Sequence, residues 1–176
     1  QSLKRFREAY DEKRDQLVDS AEAFAKSLAV TDSEKYGFKN HGFHADIETL
    51  TDMVNAMKNH LDDKNGGLKR APKFPNPSIW KFLLTANYYL KDPDIHEHLM
   101  LTLTKMANGG IYDQLGGGFA RYSVDERWFA PHFEKMLYDN AQLISLYAMG
   151  YQVSKDVRSK EVVFESIDFV QRELTS

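Results

Sequence analysis

A chain of 176 residues is long enough for one domain with a real core and too short to argue for two. With a net charge of -3 and no basic stripe, it lacks the clustered Lys and Arg that nucleic acid or an anionic membrane requires. No run approaches the roughly 18 apolar residues of a membrane helix, and the absence of cysteine removes disulfides, thiolate zinc sites and thiol catalysis.

In chain order, Leu3, Phe6, Tyr10, Leu17, Ala21, Phe24 and Leu28 recur at helical spacing between charged residues. They predict an amphipathic lead-in helix over about 3–29, within a segment 1–30. Residues 31–45, with two glycines, read as a linker; from 46 to 176 the chain reads as one helical domain. Ile47, Leu50, Met53, Val54, Met57 and Leu61 place a helix over about 46–61, closed by the turn DDKNGG. Three prolines between Pro72 and Pro77 make a stiff extended segment. Asn76 then reads as an N-cap with Pro77 at the first helical position. The next helix carries Ile79, Trp80, Phe82, Leu83, Ala86, Tyr89 and Leu90. Asp92-Pro93 repeats the start signal for a helix running to Asn108-Gly109, and the short LKDP connection makes the two an antiparallel hairpin. Two further helices are expected over about 134–151 and 159–174. The fold class is therefore all-α, with one short β-hairpin, about 119–124 against 127–130.

Between the two helix pairs lies GGIYDQLGGGFARYSVDERWFAPHFEKMLYDN, residues 109–140, which holds five of the ten glycines. A long loop this rich in titratable and aromatic groups is a natural candidate for function. Spacing removes two options. GGGF is not followed by the Lys-Ser/Thr of a phosphate loop, and Arg121 occupies the position where G-x-G-x-x-G needs glycine. His96 and His98, two apart on a helix, face different ways, and His41 and His44 are the only other close pair, so no metal site is expected. Asp139 sits in a mostly apolar helix and needs a partner. His132, Glu134 and Asp139 can be read as a structural anchor for the loop or as an acid/base group. Trp128, Tyr122, Tyr112 and Phe119 add flat surface that suits a sugar ring or simply fills the core.

The segments GGLKRAPKFPNPS and GGIYDQLGGGFARYSVDERWFAPHFEKMLYDNAQL closely resemble the thioredoxin-domain-containing family of the spermatogenesis-associated type and its bacterial homologues. The resemblance implies a thioredoxin-like domain followed by an α/α toroid similar to N-acylglucosamine 2-epimerases and six-hairpin glycosidases. This chain would be the first half of that toroid, without the thioredoxin-like domain. Twelve helices of ~12 residues with ~5-residue connections need at least roughly 200 residues, so a piece of a longer protein is expected, with exposed apolar faces available for self-association. By fold-level analogy the function implied is carbohydrate-active, epimerase- or glycosidase-like, on a small carbohydrate and without a cofactor. Candidate catalytic residues are then His132, Glu134 and Asp139, and candidate substrate-binding residues are Arg121, Tyr122, Trp128, Asp113 and Lys73. A non-catalytic scaffold that works with the attached thioredoxin-like domain is the alternative. Without a leader or cysteine, a cytoplasmic location is the expectation.

Overall fold

The computed structural model describes residues 7, 10–30 and 46–175. The linker at 31–45, with His41 and His44, and the start of the lead-in helix lie outside them. Two compact units divide between His44 and Ala45. In the first, α1 spans Arg14–Ala29.

The described residues of the second unit form five helices: α2 Ile47–Lys58, α3 Pro77–Leu90, α4 Pro93–Ala107, α5 Leu137–Ser154 and α6 Val157–Glu173. Aspartates start three of them by taking orphan amide N–H groups at the helix end. Asp46 accepts from Thr49 N at 2.8 Å, Asp92 from Asp94 N and Ile95 N at 3.0 and 3.2 Å, and Asp156 from Ser159 N at 2.8 Å. Left-handed residues at Lys91 (φ 54°) and Lys155 (φ 59°) end α3 and α5. Asn76 stands at the expected N-cap position before Pro77, but its side chain makes no capping bond. Its own backbone is left-handed (φ 44°), and its side-chain amide donates to Phe74 O at 3.1 Å instead of serving α3.

Helices α3 and α4 form one hairpin, α5 and α6 the other; α3 also packs on α5 and on α2, and α4 on α6. Their shared core contains Trp80, Leu83, Ile95, Leu99, Leu103, Met106, Leu143, Leu146, Tyr147 and Val162, each at most 2% exposed. Complete burial of one such side chain is worth about 1.5–3 kcal/mol, so this apolar cluster supplies the main driving force for the unit. No helix among the described residues is long and apolar enough to cross a membrane.

The hairpin in the long loop is present but displaced. Strands β1 (Tyr122–Ser123) and β2 (Pro131–His132) pair antiparallel, Tyr122 opposite His132 and Ser123 opposite Pro131. Asp125 sets this register. Its carboxylate accepts from the N–H groups of Arg127, Phe129 and Ala130, and the Ser123 hydroxyl donates to it at 3.1 Å. Residues 127–130 are thereby a turn and not a strand. The same pairing corrects the start of α5, expected at 134. His132 is held in a strand, Met136 is extended (φ -101°, ψ 138°), and the helix begins at Leu137.

Several large apolar side chains remain exposed on this unit, among them Phe129 (73%), Phe133 (88%) and Leu115 (101%).

Candidate functional site

The proline segment is drawn against the loop by a β-bridge. Lys73 N donates to Ser123 O at 2.7 Å and Ser123 N to Lys73 O at 2.8 Å. This places Phe74 4.8 Å from the Tyr122 ring, centroid to centroid, and Tyr122 in turn stacks on His132 at 4.7 Å and 17°. Three consecutive rings thus form a ledge along β1 and β2.

Next to it is a cleft of about 220 Å³, lined by residues 74–78, Arg121, Tyr138, Asp139 and Leu143. Arg121 enters from the residue before β1. Its backbone N–H donates to Glu134 O at 2.8 Å and its guanidinium meets the Glu134 carboxylate at 3.2 Å. Asp139 enters from the first turn of α5. Its Oδ2 is buried with no hydrogen-bond partner. Burial pushes the Asp139 carboxyl above the usual carboxylate range; Arg121 pulls against this and Glu134 adds to it. A carboxyl that holds its proton more tightly than usual, next to a fixed guanidinium, is suited to giving and taking a proton.

Arg121 and Asp139 therefore line one cleft, Glu134 is tied to it through Arg121, and Tyr122 and His132 stack along the adjacent ledge. His132 lies in β2 and not on α5, so it shares no helix face with Asp139. The other three candidates are placed differently. Trp128 is fully buried, with φ at 65° and its indole N–H donating to Asn65 O at 2.9 Å. Lys73 is equally buried. Its ammonium meets the Asp62 carboxylate at 2.6 Å, donates to Glu126 O at 2.9 Å and lies 5.2 Å from the Trp128 ring. Neither side chain offers a surface to a ligand; both form the floor beneath the loop. Burial works to raise the pKa of Asp62, but Lys73 and the amides of Asn65 and Lys64 hold it at about 2.

Asp113 secures the glycine-rich turn. It accepts from Leu115 N and Gly116 N at 3.0 and 2.9 Å and meets Lys135 at 2.8 Å, which holds its carboxyl at about 2. Lys135 also donates to Gly117 O at 2.8 Å. Gly117, at φ 75°, packs so closely on α6 that a Cβ would strike Glu165 O.

Asn76 and Tyr138 are cleft residues that the sequence pattern did not single out. Asn76 was masked by its helix-start position, and Tyr138 by the apolar run that surrounds it. Among the described residues no group of three His, Cys, Asp or Glu side chains is arranged to hold a metal ion.

No family model matches the chain. Human spermatogenesis-associated protein 20 is 34% identical over 98% of this chain and 22% of its own length. The rat protein of the same name is 44% identical over 65% of this chain and 15% of its own. An uncharacterized Caenorhabditis elegans protein is 37% identical over 71% and 18%. The chain spans about a fifth of the length of these relatives. Over nearly all of its residues the chain is therefore similar to a segment of spermatogenesis-associated protein 20.

Proposed function

We propose that the cleft between the proline segment and α5 binds a small polyhydroxylated ligand of the carbohydrate class, with Asp139 as the proton-transferring group. The observation that carries this reading is the buried, unpartnered Asp139 Oδ2 in a cleft shared with Arg121. A polar atom desolvated without a partner costs stability, and such a cost is tolerated where a ligand supplies the missing bond. The Phe74–Tyr122–His132 ledge offers apolar ring faces, while Asn76, Arg121 and Tyr138 offer donors. At about 220 Å³ the cleft is below the usual 300–1,000 Å³ of drug-sized sites, which favours a single sugar unit over an oligosaccharide. Within an α/α toroid completed by the longer protein, this wall would be one side of an epimerase- or glycosidase-like site.

Thermal shift of the full chain, and of a full-length homologue, against a panel of monosaccharides tests the reading. The expected result is a stabilising sugar whose effect is lost in Asp139→Ala and Arg121→Gln while both variants stay folded. A uniformly silent panel sinks it. A second reading, a non-catalytic scaffold that serves a thioredoxin-like domain in the longer protein, is favoured by the exposure of Phe133, at 88%. It predicts that Phe133→Ser abolishes association with that domain and that no sugar binds.

A further inference from the structure

On the turn after β1, Asp125 gathers the N–H groups of residues 127, 129 and 130, and Trp128 is driven into the core in a left-handed conformation. Such a backbone persists only where its surroundings over-determine it, and it often marks a place where neighbouring side chains must be held in position. The neighbours are Arg127 and Phe129, both exposed on either side of the anchored Trp128. They face a groove of about 350 Å³ completed by Thr104, Lys105, Asn108, Gly109 and Gly110.

This groove contains two cations, an amide, a hydroxyl and one aromatic face, and no carboxylate. Among the described residues neither Lys105 nor Arg127 takes part in a salt bridge, although the chain is net acidic. The C-terminal end of α4 reaches the groove, and free carbonyls there would repel an anion. Those of Thr104, Met106 and Ala107 are already engaged. Asn108 N donates to Thr104 O at 3.1 Å, Gly109 N to Met106 O at 3.3 Å, and the Gln114 side-chain amide to Ala107 O and Gly109 O at 2.9 and 3.2 Å. Gly109 and Gly110 also leave no Cβ between the helix end and the turn, where one would strike the Trp128 and Phe129 backbone. That close approach sets the helix end that carries Lys105 against the turn that carries Arg127.

We propose that this groove binds a phosphorylated small molecule, its phosphate between Lys105 and Arg127 and a flat or apolar body against Phe129. Guanidinium and ammonium together match a phosphate, the first by its planar fork and the second as a point charge. The groove shares no lining residue with the Asp139 cleft, so the two sites stand or fall separately.

The test is amide NMR titration of the full chain with adenosine monophosphate, inorganic phosphate and adenosine as probes. The expected result is saturable shifts at the Gly109 and Gly110 amides with the nucleotide, weaker ones with phosphate and none with adenosine. Lys105→Gln with Arg127→Gln should weaken nucleotide binding at least about tenfold, since each charge-assisted contact carries roughly that factor. Both side chains are exposed, so the double variant should keep its melting temperature. Silence at the two glycines up to about 10 mM nucleotide, which is weaker than any specific site, overturns the proposal. So does adenosine binding as well as its phosphate, or phosphate binding as well as the nucleotide. A poly-glutamate peptide that shifts the same amides where the nucleotide does not would replace it with an acidic-peptide surface.

Discussion

Asp62→Asn removes the counterion of a lysine that is 0% exposed. Two estimates bound the cost. Asp62 moves from the usual 3.8 to about 2, and at 1.36 kcal/mol per pKa unit this amounts to about 2 kcal/mol. The carboxylate side chain is 12% exposed, so solvent screening takes little from that figure. The second estimate counts the charge left behind: breaking a buried pair from one side costs about 3–5 kcal/mol. Lys73 keeps its bond to Glu126 O and its place near the Trp128 ring, so the top of the combined range is not reached and the expected cost is about 2–4 kcal/mol. For a unit of this size that corresponds to a melting temperature lowered by roughly 6–15 °C. The assay is calorimetry of the wild type, Asp62→Asn, Lys73→Met and the double variant at pH 7. The double variant should recover most of the loss, because an apolar side chain replaces a pair whose desolvation nearly offset its attraction. The sign of the pH dependence follows from the depressed pKa. The contribution is complete above about pH 4 and is lost as pH falls through about 2. A single Asp62→Asn variant that melts within about 2 °C of wild type, less than 1 kcal/mol, would refute this account of the loop floor.

Asp139→Asn should raise the melting temperature at pH 7, because the folded state disfavours the ionised Asp139 carboxyl. The gain should shrink as pH falls through the raised pKa; a variant less stable than wild type at every pH would contradict the assigned burial effect. Gly117→Ala combines a left-handed backbone with a clash against α6, and a loss of about 2 kcal/mol or more is expected in urea unfolding. A cost near zero would mean that the glycine turn does not rest on α6. Glu134→Gln should change stability by less than about 1 kcal/mol, since the pair with Arg121 is about 44% exposed. A larger loss in calorimetry would show that this pair props the loop.

The helices were legible because their signals are local. Asp92-Pro93 and the Ile95–Leu99–Leu103 spacing describe one helix without reference to the rest of the chain. The strand register was not, because it depends on one carboxylate, Asp125, folding back on amides two to five residues ahead. That interaction turned Trp128 inward and moved the start of α5 to Leu137. Arg121 and Asp139 could be suspected from composition around them. Lys73 could not be recognised as buried, because its partner Asp62 precedes the proline segment and its other contacts lie beyond residue 120. Sequence patterns report periodicity within an element and carry little about which distant loops meet.

The seam between Lys73 and Ser123 joins residues 50 positions apart, and the ammonium of Lys73 reaches a further carbonyl 53 positions away. Both closures must be made before either segment gains from the contact, and loop-closure entropy makes such steps late in folding. The cleft walls therefore form together or not at all. A nascent chain that has reached only Asn108 holds the proline segment and Asp62 but has nothing to close them against, and the site comes into being once the α3–α4 hairpin already stands.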